Sequence, residues 1–263
     1  MTPIERVIAI ARAEIGYLEK ASNAQLDSKT ANAGDKNWTK YARDLDVLKV
    51  YNGPKNGYAW CDMFVDWCFI KAFGLELALK MTGQKLGGYG AGCTESVNYY
   101  KAMGRFYKSG PQPGDQIFFT QNNGQSFYHT GLVERVQDGK VFTIEGNTSS
   151  AAGVVENGGA VRDKSYSLSY NRIGGYGRPN YSLIQEDEDM DINTMLSQMT
   201  DKQAYDLLVK AQRHASTLPE PHWSQKEGHW QRAIDGGIIN GGSPEGLLKR
   251  DEFVAVLGRK GLL

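Results

Sequence analysis

HTGLVERVQDGKVFTIEGN (residues 129–147) is the stretch whose reading decides the fold. It holds two alternating segments, His129–Val136 and Lys140–Asn147, separated by Gln137-Asp138-Gly139, a hairpin signal. The register depends on the loop. A two-residue turn at Asp138-Gly139 would pair Gln137 with Lys140, set His129 opposite Thr148 and turn Glu145 to the other face. A three-residue loop pairs Val136 with Lys140. It sets His129 opposite Asn147, with Glu145 diagonal on the same face, and gathers Leu132, Phe142 and Ile144 on the opposite face for the core. Only the second register serves both burial and chemistry, so the expectation is a type I turn plus bulge with Gly139 at positive φ.

On the N-terminal side of this hairpin, Pro113-Gly114-Asp115 reads as a turn and Gln116–Thr120 as a short apolar strand. On the other side, one or two more strands are expected between Val154 and Tyr181. Upstream of Gly110 the period is helical. Thr2-Pro3-Ile4-Glu5 has the form of a capping box with proline at the first helical position. Ile4, Val7, Ile8, Ala11 and Ile15 follow at helical spacing, predicting a helix over roughly 3–15. Residues 19–57 read as a long functional loop with one short helix near Trp38–Leu45. Residues 60–73 form an apolar helix, and a helix near Thr94–Met103 follows the glycine-rich turn LGGYGAGC. Helices first and antiparallel strands after them make an α+β domain.

The domain is placed at residues 1–183. An acidic, apolar-poor linker follows at 184–191, then a small all-α unit at 192–263 with helices near 193–215, 224–236 and 249–258. Lys+Arg and Asp+Glu number 30 each in 263 residues, which argues against a general nucleic-acid binder. No apolar run approaches the ~20 residues of a membrane span. The N-terminus carries Glu5 and Glu14 among its apolar residues and reads as no signal peptide, so synthesis in the cytoplasm is expected. Three cysteines, Cys61, Cys68 and Cys93, make no disulfide scaffold, and at least one is free.

Cys61 begins a predicted helix, where free N–H groups and the helix dipole favour a thiolate and can stabilise an oxyanion. Taken alone, a small apolar residue at a helix start is the better reading. His129 is the only histidine in residues 1–180, and the hairpin brings Glu145 and Asn147 towards it. A histidine beside a carboxylate or amide is an oriented base. Cys68 lies two helical turns from Cys61, about 10 Å away and too far for a disulfide, and reads as core. Cys93 reads as buried or inert. Trp38 and Tyr41 either line the groove beside Cys61 or pack against the first helix. Asp27, Asp35, Asp44 and Asp46 lack compact calcium-loop spacing, so neither metal nor other cofactor is expected.

The segments YAWCDMFVDWC (58–68), PGDQIFF (113–119), HTGLVE (129–134) and IEGNT (144–148), in this order, resemble the CHAP family of cysteine amidohydrolases and peptidases, of the NlpC/P60 class with a papain-like fold. The resemblance spans roughly residues 5–180. It implies Cys61 as nucleophile, His129 as general base, and Glu145 and Asn147 as its polar partners. Trp60, Asp62, Trp38, Tyr41 and Tyr128 become the candidate substrate-contacting residues. It also implies peptidoglycan as substrate, cut between muramic acid and L-alanine or within the peptide. A cytoplasmic wall hydrolase without a leader fits a phage or prophage endolysin released through a separate pore. The alternatives are an exported wall-remodelling or antibacterial hydrolase and a non-catalytic wall-binding module.

In residues 222–263, Trp223 and Trp230 lie seven apart, which fits core packing of a helical bundle. The segment also resembles short helical ends of clostridial-type phage lysins and, more faintly, S-layer homology repeats. This implies wall contact or self-association. His214, His222 and His229 miss metal-ligand spacing.

Overall fold

The computed structural model describes residues 1–184 and Thr200. The chain divides between Asp189 and Met190. The expected linker after residue 184, the three C-terminal helices, Trp223, Trp230 and the three C-terminal histidines lie outside the described residues.

Among the described residues, five helices precede the sheet. The first, α1 (Pro3–Ala13), opens on the expected capping box: Thr2 Oγ1 accepts from the Glu5 N–H, and the Glu5 carboxylate accepts from the Thr2 N–H. Two more of the expected helices are found, α2 (Lys40–Val47) and α3 (Cys61–Phe73). After α3 the chain makes α4 (Leu75–Thr82), not foreseen in the sequence, and then α5 (Cys93–Ala102). Gly74, at φ 77°, ends α3 and starts α4.

Six strands follow: β1 (Phe106–Tyr107), β2 (Gln116–Phe119), β3 (His129–Gln137), β4 (Lys140–Thr148), β5 (Ala160–Ser167) and β6 (Ile173–Gly177). They form one antiparallel sheet in the order β1-β6-β2-β3-β4-β5. The expected α+β architecture is what the described residues adopt. Leu132, Ile144 and Val161 join one apolar core with α1 and α3, while Ile117, Phe119, Val133, Val141, Tyr166 and Tyr176 form a second. The PGD turn is an anchor. Asp115 is buried and takes two hydrogen bonds of 2.9 Å from Arg178, tying the start of β2 to the chain just after β6.

The hairpin corrects the register argument in one respect and supports it in another. Its turn has two residues, with Asp138 at φ 50° and Gly139 at φ 71°, and Gln137 pairs with Lys140. Both central residues at positive φ give a I′ turn, whose twist matches the strands better than the type I turn expected. The extra residue sits instead at Glu134, where β3 bulges between Val133 and Arg135. Beyond the bulge Leu132 pairs with Ile144 and Val133 with Thr143, the register argued from the three-residue loop. Glu134 is turned inward to ion pairs with Arg12 of α1 and Arg135. Phe142 is only half-buried, under the Arg135 guanidinium, and not in the core as expected. Gly139→Val would force a β-branched residue into left-handed backbone. The expected cost is about 1–3 kcal/mol of stability, read as a lower melting temperature, with His129 and Glu145 undisturbed.

Candidate active site

Cys61 is the first residue of α3, and no side chain caps that helix end. Two glycines let the helix N-terminus and the hairpin meet. A Cβ at Gly146 would lie 2.6 Å from Phe64 Cβ and 2.9 Å from the Trp60 ring. A Cβ at Gly131 would lie 2.4 Å from Glu145 Cγ. Residues with side chains at these positions could not hold α3 against β4, or Glu145 against β3. The glycines of HTG and EGN are therefore steric requirements of the site.

His129 and Glu145 are both fully buried, and His129 Nε2 lies 2.9 Å from Glu145 Oε2. Glu145 is itself held by the Thr143 hydroxyl at 2.6 Å and the Tyr166 hydroxyl at 3.2 Å. The other ring nitrogen, Nδ1, is buried and within normal hydrogen-bond distance of no partner among the described residues, with the Cys61 thiol as the neighbour that acts on the ring. Burial works against charge on His129, but the Cys61 thiol and then Glu145 outweigh it, and its pKa is pushed up to about 10. Cys61 moves the opposite way, well below the usual thiol range. A hydrogen bond from Cys93 contributes most to that fall, followed, against the opposing effect of burial, by His129 and the Asp62 N–H. The arrangement favours a thiolate beside an imidazolium, the charge state of an activated cysteine nucleophile.

Asn147 does not join this relay. Pairing of β3 with β4 begins at Leu132↔Ile144, so the expected His129↔Asn147 pair is not formed. Asn147 sits at φ 53° in a second irregularity, between β4 and β5, and its Oδ1 accepts from the Gly159 N–H at 3.2 Å. It organises the 147–159 turn, and of the two expected polar partners Glu145, not Asn147, hydrogen-bonds the imidazole.

Three of the expected substrate contacts have internal work. Trp60 is fully buried, and its Nε1 donates to Glu19 Oε2 at 2.9 Å. Tyr41 is fully buried between Trp60 and Trp67 and donates to Glu14 Oε2 at 2.7 Å, which decides for packing over groove lining. Asp62 is 1% exposed and accepts from the Ser96 hydroxyl at 2.7 Å and from Gln116 Nε2 at 2.8 Å. Burial and the nearby Asp66 push its carboxyl well up. It fastens the start of α3 to α5 and β2. Trp38 and Tyr128 are half-buried and keep partly exposed rings.

The aspartates considered for calcium are also engaged. Asp27 and Asp44 pair with Arg43, Asp46 accepts the Lys55 and Asn56 N–H groups, and exposed Asp35 lies by Lys36. Among the described residues, no group of three or more His, Cys, Asp or Glu is placed to hold a metal ion. No helix among them is long and apolar enough to cross a membrane.

Cys68 is fully buried core, as expected. For Cys93 the sequence-based expectation is a buried or inert thiol. It is buried, but its sulfur lies 3.7 Å from that of Cys61. A separation of 32 residues, ending on another helix, left no periodic signal from which to find this contact.

No curated protein matches the chain. One solved structure, "The crystal structure of Ly7917", is similar at 14% identity and a TM-score of 0.40, over 69% of this chain and 63% of that one. The chain thus spans less than two thirds of the length of that structure. The family model described as the CHAP domain matches residues 53–147, which contain Cys61, His129 and Glu145. The chain carries a CHAP domain, the domain of a family of peptidoglycan hydrolases.

Proposed function

We propose that the protein is a cysteine-dependent peptidoglycan amidase, cutting between muramic acid and L-alanine. The observation that carries this reading is the buried Cys61–His129–Glu145 arrangement at the start of α3 inside the CHAP match. The Cys61 thiolate attacks the amide carbonyl carbon. The adjacent imidazolium gives its proton to the leaving amine, and a thioester remains on Cys61. Neutral His129 then takes a proton from water, whose oxygen attacks the thioester and releases the acid and the thiol. Glu145 holds the ring and stabilises its charged form. The protein's own groups supply each of these proton transfers.

Endopeptidase cleavage of the stem or cross-bridge uses the same chemistry, because groove shape selects the bond. Mass spectrometry of wall digested by the full-length chain separates the two. Free muramic lactyl groups with new alanine N-termini are expected. Cut stems with intact lactyl-alanine would replace amidase by endopeptidase, and an undigested wall would overturn hydrolysis altogether. We further propose that the protein acts as an endolysin, made in the cytoplasm and released to the wall. In this reading residues 1–183 are catalytic, 184–191 link, and 192–263 serve wall contact or self-association.

A further inference from the structure

We propose that Cys61 and Cys93 form a reversible disulfide, making the site a redox-sensitive modification site that a peroxide or a disulfide oxidant switches off. The two sulfurs are 3.7 Å apart, each on the first residue of its own helix, α3 and α5. Side-chain rotation has to close the gap to about 2.05 Å. The pair sits in an apolar cluster with Val97, Tyr100, Phe118 and Phe127. Cys68 lies two turns along α3, about 10 Å away, and cannot compete.

The loop that leads into Cys93 is LGGYGAG, residues 86–92. From Gly83 to Gly92 the chain belongs to no helix or strand; Gly87 and Gly88 are tied to Val50 and Asn52 by backbone hydrogen bonds, and between them and Cys93 the chain turns through Ala91 at φ 81°. The two thiols differ in the way the chemistry needs. Cys61 is drawn towards thiolate, while the neighbouring Cys61 and burial push Cys93 well up. Cys61 is therefore the sulfur that meets oxidant, and Cys93 the one that resolves it.

With hydrogen peroxide the disulfide forms in two steps. The Cys61 thiolate attacks a peroxide oxygen, an S–O bond forms, the O–O bond breaks, and hydroxide leaves to become water. The Cys93 thiol gives up its proton, and its sulfur attacks the sulfenic sulfur of Cys61. The S–S bond forms as the S–O bond breaks, releasing the second oxygen as water. Two thiols are oxidised and one peroxide is reduced. A dithiol reductant reverses the reaction by thiol–disulfide exchange.

The test uses the purified full-length chain, treated with hydrogen peroxide, alkylated and mapped by mass spectrometry. The expected product has lost two hydrogens and yields a Cys61–Cys93 crosslinked peptide. Wall lysis falls at least roughly tenfold in step with the crosslink and returns with dithiothreitol, since the disulfide leaves no thiolate. In Cys93→Ala and Cys93→Ser, sustained peroxide carries Cys61 on to sulfinic acid, and dithiothreitol restores nothing. Oxygen addition at Cys61 of the parent chain without a crosslink would overturn the proposal, as would a crosslink to Cys68. The crosslink is read by mass without any substrate, so its failure is distinguishable from failure of the hydrolase reading on which the inhibitory effect rests.

Discussion

Cys61→Ser is expected to abolish wall cleavage, by on the order of 10⁴–10⁶-fold, while leaving the fold in place. A serine hydroxyl at this position has nearly the volume of the thiol. It is far less acidic, so the hydrogen bond from Cys93 and the neighbouring imidazolium no longer yield an anion. Turbidity loss of purified walls measures the rate, and circular dichroism checks the fold. Cys68→Ser is the matched control. That sulfur is fully buried in the α1–α3 core, and a hydroxyl there costs about 1–3 kcal/mol of stability if left unpaired. Its activity should stay close to the parent's. Lysis at the parent rate by a folded Cys61→Ser chain would end the cysteine mechanism.

Removing His129, the proposed base, is the second large effect. His129→Ala should lower the rate by about 10²–10⁴-fold, the usual contribution of a positioned acid–base group. Glu145→Gln is subtler and more diagnostic. The parent should show a broad pH–rate bell. Its acid limb lies well below the ordinary thiol range, set by protonation of Cys61. Its alkaline limb lies near 10, set by deprotonation of the imidazolium. A carboxylate favours the charged ring. Its replacement by an amide lowers the histidine pKa, and the alkaline limb should move down by roughly one unit or more. The sign is fixed: loss of a negative partner never raises that limb. An unmoved limb in a folded Glu145→Gln chain would leave Glu145 as packing only.

Legibility in the sequence followed the range of the interactions. α1 was readable because a capping box and apolar spacing are local. The hairpin was readable in its outcome, with Leu132 against Ile144 and Glu145 on His129, but not in its device. A bulge at Glu134 is specified by ion pairs with Arg12 and Arg135, and Arg12 lies on a distant helix. Asn147 looked like a relay member because its spacing from Glu145 is right for one face. Its positive φ turns it towards the β5 side. Trp60, Tyr41 and Asp62 flank Cys61 in sequence or in the fold, which suggested substrate contact. Only tertiary contacts with Glu19, Glu14, Ser96 and Gln116 reveal their supporting role. Cys93 was unreadable for the same reason.

The Glu134 bulge separates the two ends of its hairpin. Register is reset there, so pairing between the tip and Arg135 runs one residue out of step with pairing at Leu132. Asp138 stands nine residues from His129, about 30 Å along an extended strand. Lengthening or trimming the tip therefore shifts pairs on the outer side of the bulge and leaves His129 and Glu145 in phase. That makes the Asp138–Gly139 tip a place on this domain where a spliced-in peptide tag, fluorophore site or targeting segment is expected to leave the chemistry in tune, at the cost of the Gly139 carbonyl's bond to the Leu168 N–H.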